Sequence, residues 1–166
     1  MKPIDAWNDD KIPDIIWIII PSAIRQELLK ELPFKFDVKN LKNDNALHHV
    51  TIVYKPSESD IKMIKNWALE NEIVKIKIEE NCWDDKIQAL KVRIFNKLGK
   101  ELTIPGKIFH ITVSADKGVA PKFSNDMLSG KYNSENFQKD IIGLSVIRSS
   151  NYLKEYFCPL SSVSTP

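Results

Sequence analysis

The sequence predicts an α+β domain built mainly from antiparallel sheet, with helices on its outer faces. Three observations carry that prediction. Strand-like and helix-like patterns alternate over the first half of the chain, and strands cluster in the second. Two β-branched runs each hold a His-x-Thr tripeptide with an apolar middle residue, His49-Val50-Thr51 and His110-Ile111-Thr112, and such runs read as strands. The 166 residues, 43% apolar and 28% charged, have the composition of one soluble globular domain, or of two small lobes sharing a core.

Each element follows from local chemistry. Residues 1–13 mix charge with Trp7 and two prolines and read as an arm with little structure of its own. Ile15 to Ile20 is an unbroken apolar run, the mark of a buried strand. Pro21 ends it, Ser22 is a good N-cap, and Ile24, Leu28, Leu29 and Leu32 repeat at helical spacing until Pro33. Residues 34–45 read as a loop. The first motif strand runs from about Leu47 to Tyr54 and Pro56 stops it. Ser57 caps a second helix whose stripe of Ile61, Ile64, Trp67 and Ala68 belongs to the core.

Further on, Ile73 to Ile78 alternates apolar with lysine, Asp84-Asp85 turns the chain, and Ala89 to Phe95 alternates again with Leu90, Val92 and Ile94 on one face. These two runs predict a hairpin or adjacent antiparallel strands. Asn96 to Gly106 is a loop, Phe109 to Ser114 the second motif strand, and Asp116 to Phe123 another loop. Ser124 to Leu128 reads as a capped helical turn. Ile141 to Ile147 is the last clear strand, and residues 151–166 read as a tail. The predicted division is an arm over 1–13, one domain over 14–150 and the tail, and the element order allows two sheet-plus-helix lobes with one tripeptide each.

The bulk numbers exclude several classes. A formal charge of +2 does not support a large nucleic-acid surface, though it permits a pocket for one phosphate or a few nucleotides. Cys82 and Cys158 are too few for a disulfide framework and form no Cys-x-x-Cys, so they read as free thiols in a reducing compartment. The run from Ile15 to Ile20 is too short to span a bilayer, and the acidic residues before it do not form a signal peptide. A cytoplasmic or nuclear monomer that needs neither membrane nor cofactor is the expectation.

The chemistry sits in the tripeptides. Residues two apart on a strand share a face, so each tripeptide presents an imidazole beside a hydroxyl and turns its apolar residue to the core. Two such strands side by side gather an acid, a base and two hydrogen-bond donors, a set suited to a phosphate. Histidines with ordinary pKa values near ~6.5 serve as both acid and base at neutral pH. The chain has three histidines. Without a carboxylate cluster they give no metal-ligand spacing, so no metal is expected. His48 is expected on the opposite strand face as a packing residue. Trp83 reads as core or a hairpin anchor, with base stacking the lesser alternative, Lys122 as a candidate phosphate ligand, and Phe109 and Phe123 as candidates for stacking on a base.

These residues carry a family resemblance. Paired His-x-Thr motifs about one lobe apart resemble the 2H phosphoesterases. The stretches Ala46 to Thr51, Cys82-Trp83-Asp84-Asp85 to Ala89, His110 to Val113 and Val119 to Leu128 are similar to the cyclic phosphodiesterase domain of fungal-type tRNA ligases. The resemblance implies a two-lobed, LigT-like fold with a central cleft. It implies metal-independent hydrolysis of a 2′,3′-cyclic phosphate, on RNA ends or nucleotides, to a 2′-phosphate. The site residues it implies are His49, Thr51, His110 and Thr112. His49 is by analogy the acid to the leaving oxygen and His110 the base, an assignment open to reversal. Lys122, Ser124 and Asn125 follow the second motif where the family has a Ser-Asn pair, and are candidates for binding substrate. For Ser124 and Asn125 a helix cap is the competing role.

A full ligase also carries a nucleotidyl-accepting Lys-x-Asp-Gly and a kinase P-loop. These residues contain neither, so they do not seal or phosphorylate RNA by those routes and offer only the end-healing step. Two alternatives stand beside this reading. One is a 2H phosphodiesterase that cleaves 2′-5′ oligoadenylate or cyclic oligonucleotide signals. The other is a catalytically silent RNA-binding module.

Overall fold

The computed structural model describes residues 14–42 and 45–148. The expected arm over 1–13 and tail over 151–166 lie outside the described residues, as does Cys158. Six strands and three helices follow one another as β1 (Ile15–Ile19), α1 (Ser22–Glu31), β2 (His49–Tyr54), α2 (Glu58–Trp67), β3 (Ile73–Trp83), β4 (Ile87–Phe95), β5 (His110–Ala115), α3 (Phe123–Ser129) and β6 (Asn133–Arg148), with a short 3₁₀ turn at Val38–Asn40. The strands close into a ring in the order β1-β2-β5-β4-β3-β6, every neighbouring pair antiparallel. The class is α+β with antiparallel sheet and helices outside it.

Long β6 closes the ring. Its first part pairs with β3, and its last part pairs with β1 from Leu144 to Arg148. Gly143 marks the crossing. A Cβ there would overlap Ile18 Cγ2 and meet the Ile19 carbonyl oxygen at 3.0 Å, so only glycine lets the two strands approach.

The core has two main parts and a small cluster of Ile15, Trp17 and Ile19 on β1. The larger part sets Leu28 of α1, Leu32 just after it, and Ile61, Ile64 and Trp67 of α2 on Ile16, Ile18, Val50, Ile76, Val92 and Ile111. The smaller part sets Met127 and Leu128 of α3 on Cys82, Ile87, Ala89 and Ala115. Strands β3, β4 and β5 contribute to both parts.

Local chemistry accounts for most element ends. Ser57 accepts from the Asp60 amide and Asp60 from the Ser57 amide, a complete capping box for α2. Asp84 Oδ1 accepts from the amides of Lys86 and Ile87, which forms the β3–β4 turn. Three expectations are corrected. Ser22 is the first residue of α1 rather than its cap, since the cap position is Pro21 and no side chain bonds there. Ser124 lies inside α3, whose cap position is Lys122. The last strand begins at Asn133 rather than Ile141. Its first half, Asn133 to Asp140, is polar apart from Phe137 and is held as strand by pairing with β3 on both sides of the bulge at Ile78/Glu80.

Candidate active site

Val50 and Ile111 are direct partners where β2 meets β5, and both are fully buried. Their neighbours therefore turn to the opposite face together. His49 and Thr51 from β2, and His110 and Thr112 from β5, line one pocket of about 490 Å³. Both tripeptides thus supply one site because their strands are adjacent in the ring, although about 60 residues of chain separate them.

The rings are held by different partners. His110 Nδ1 lies 3.3 Å from the carbonyl oxygen of Ile108. A carbonyl only accepts, so that nitrogen carries a proton and Nε2 holds the lone pair in the neutral ring. His49 Nδ1 lies 3.0 Å from Nδ1 of His48. Trp17 of β1 packs against both of these rings, 4.5 Å from His49 and 5.5 Å from His48 between centroids.

Burial lowers the pKa of His49 well below its ordinary value. The neighbouring His48, His110 and Arg25 lower it further. Burial also lowers His110, with Lys107 adding to the effect and the Ile108 carbonyl opposing it. Each side chain keeps a solvent-facing edge, but protein surrounds most of the ring. Both shifts favour the neutral imidazole.

Hydroxyls and cations complete the pocket. The Thr112 hydroxyl is 3.0 Å from that of Ser124, which is wholly buried in α3. Ser124 thus touches Thr112 and does not line the pocket, whereas Asn125 and Lys122 do. Lys107 lines it as well, and burial lowers its pKa. Among the described residues no group of three or more His, Cys, Asp or Glu side chains is placed to hold a metal ion.

Other expected residues lie elsewhere. Phe109 is buried in the larger core, so it is not a stacking surface. Phe123 lies beside Lys86 at a separate small hollow. Trp83 is half-buried, with the Lys35 ammonium 4.0 Å from its ring centre. A larger concavity of about 730 Å³ opens among β3, β4 and β6, with four lysines and no histidine, so size alone does not locate the chemistry.

Sequence reasoning missed Trp17, His48, Lys107 and Asn45. His48 misled because it precedes β2. It follows the left-handed Leu47, φ 58°, and lies outside the strand, where alternation does not have to hold. A pocket of about 330 Å³ adjoins the histidine pocket, formed by Asn40, Leu41 and the loop from Gly118 to Pro121. The two share Asn45 and Pro121 as a common wall.

A family model described as the fungal tRNA ligase phosphodiesterase domain matches residues 39–155. That match includes both tripeptides and leaves β1 and α1 outside it. A solved structure titled "Crystal Structure of Fungal RNA Kinase" is similar with a TM-score of 0.55 at 16% identity, a likeness of fold alone. The alignment covers 87% of this chain and 47% of that one, so the chain spans about half its length. No curated protein matches the sequence.

Proposed function

The chain belongs to the fungal tRNA ligase phosphodiesterase domain family, and we propose that it is a metal-independent 2′,3′-cyclic phosphodiesterase that opens cyclic phosphate ends of RNA or nucleotides to a 2′-phosphate. The observation that carries this reading is the convergence of His49, Thr51, His110 and Thr112 in one pocket. The core, divided between the α1/α2 side and the α3 side, supports the two-lobed, LigT-like 2H phosphoesterase fold, with that pocket as its cleft.

Ring opening is an in-line displacement at phosphorus. A base takes a proton from the attacking water, and an acid on the opposite side gives one to the departing 3′ oxygen. His110 suits the base, because its Nδ1 proton is directed at the Ile108 carbonyl and Nε2 is left with a lone pair. His49 is then the acid. Its depressed pKa belongs to the empty pocket. A bound phosphodiester anion opposes the field of Arg25 and the other imidazoles, and so draws a proton onto His49 as it binds. Thr51 and Thr112 donate to the non-bridging oxygens, where charge grows in the transition state. Lys107 and Lys122 supply positive charge at the pocket wall. After the step His49 is neutral and His110 is charged, and exchange with solvent restores both.

The pocket adjoining across Asn45 and Pro121 gives room for the nucleotide preceding the cyclic end, which favours an oligonucleotide over a mononucleotide. The same room suits the alternative substrates, 2′-5′ linked or cyclic oligonucleotides, which need the same four groups. Product analysis tests the reading. The protein is incubated in excess chelator with a 2′,3′-cyclic mononucleotide, with RNA ending in that group, and with 2′-5′ oligoadenylate. A 2′-phosphate that is lost in His110→Ala is the expected result. Cleavage of the 2′-5′ linkage alone would replace the substrate, and no turnover of any of them would end the catalytic reading.

A further inference from the structure

His48 does not belong to either tripeptide, yet among the described residues it is the hydrogen-bond partner of a His49 ring nitrogen. The two Nδ1 atoms are 3.0 Å apart, and the rings meet edge to face at 80°. The backbone is built to hold this contact. The left-handed Leu47 turns the chain just before β2, and its amide donates to the Thr112 carbonyl at 2.8 Å. The His48 amide donates to the Asn45 carbonyl at 3.4 Å, and the His48 carbonyl accepts from the Ile20 amide at 2.9 Å. The side chain is 1% exposed, and Trp17 packs against it.

Two nitrogens at this distance need one proton between them. If both carried a proton, the two N–H groups would face each other, so the rings are never charged together. When His49 is an imidazolium, both its nitrogens carry protons, and only a lone pair on His48 can face it. The arrangement that survives a full proton cycle without moving either ring has His48 neutral, with its Nδ1 accepting throughout. His49 Nε2 then exchanges the proton with substrate.

We propose that His48 is a positioning residue for the phosphodiesterase reaction, a neutral imidazole acceptor that holds the Nδ1 proton of His49 and so reserves Nε2 for the phosphate. This role rests on the functional reading above, and it holds whether His49 is the acid or the base. A neutral acceptor differs from the carboxylate of a serine-protease triad, because it orients the ring without adding charge that would hold the proton on it. The other groups acting on His49 are His110 across the pocket, Arg25 of α1 and the Trp17 ring.

The test uses the full chain and two variants. His48→Asn keeps an acceptor near Nδ1, and His48→Phe keeps the ring volume without one. Long-range ¹H–¹⁵N NMR reads the His49 tautomer, and kcat and KM are measured on RNA ending in a 2′,3′-cyclic phosphate. We expect neutral His49 in the wild type to carry its proton on Nδ1. His48→Phe should shift it toward Nε2–H and lower kcat on the order of 10–100-fold with KM little changed, as loss of a partner that orients a histidine does. His48→Asn should restore most of kcat and the wild-type tautomer. A wild-type His49 protonated on Nε2, or a His48→Phe protein with unchanged tautomer and kcat, would overturn the proposal. If His48→Phe fails to fold, the wild-type and His48→Asn spectra decide. A wild-type protein that turns over none of the substrates would overturn the functional reading instead, and the NMR arm would then decide the contact by itself.

Discussion

Ser124 offers the sharpest test of how the site is aimed. Its hydroxyl is fully buried and lies 3.0 Å from that of Thr112. If Thr112 donates to a phosphate oxygen, its own oxygen must accept, and Ser124 is placed to donate to it. Removing a donor aimed at a growing negative charge costs about 2.7–4 kcal/mol, or on the order of 10²–10³ in rate. Thr112→Ala is expected in that range. Ser124→Ala keeps the Thr112 donor but frees its rotation, and forfeits one hydrogen bond worth about 0.5–1.5 kcal/mol. A loss near tenfold in kcat is expected, with KM nearly unchanged. The double variant decides the matter. If Ser124 acts only through Thr112, then Thr112→Ala/Ser124→Ala is no slower than Thr112→Ala alone. The assay is hydrolysis of a 2′,3′-cyclic nucleotide in chelator. A further tenfold loss in the double variant would refute the coupling and give Ser124 an independent role.

Other outcomes follow from the same geometry. His49→Ala and His110→Ala should each lower turnover by more than about 10³ while leaving the circular dichroism melt intact, and excess chelator should not slow the wild type; a strong chelator effect would sink the metal-independent mechanism. Because burial lowers both histidines, the protonated acid is lost as pH rises above its depressed pKa, so kcat/KM should peak below ~6.5 and fall toward neutrality; a maximum above 7 would contradict this. Burial raises Glu70 to about 7, so the folded state holds a proton that the unfolded state has released, and stability falls as pH climbs from 4.5 toward 7. Glu70→Gln still offers an acceptor to the Ile147 amide, bonded at 2.7 Å, and should be the more stable protein at pH 8, by about 1 kcal/mol after discounting for solvent, in a urea melt. Ala120→Trp, which fills the adjoining pocket, should slow RNA ends more than cyclic mononucleotides, and equal slowing would remove that pocket from the substrate path.

What could be read from the sequence depended on whether burial leaves a period behind. In β2, the second half of β4 and the first half of β5 one face is buried in the core and the other only partly covered, so apolar residues alternate, and the strands and the face carrying His49, Thr51, His110 and Thr112 were legible. Helix α2 was legible because its stripe and its capping box agree. β1 hid its geometry for the opposite reason. All five of its residues are buried, Ile16 and Ile18 under the helices and Trp17 beside the histidines, so no period betrayed that Trp17 faces the site. The first half of β6 failed from the other side, since Asn133 to Asp140 has a single apolar residue, Phe137, too few to show a period, and pairing with β3 makes it a strand. Ring closure is non-local and rests on Gly143, whose need for a bare Cα emerges only when β1 lies against β6. His48 shows the general limit. Alternation placed it on the far face, yet His48 lies outside β2, after the left-handed Leu47, and its ring meets His49. A period is a property of an unbroken strand. A residue just outside a strand end obeys the turn instead, and that is where this site takes the partner of its first histidine.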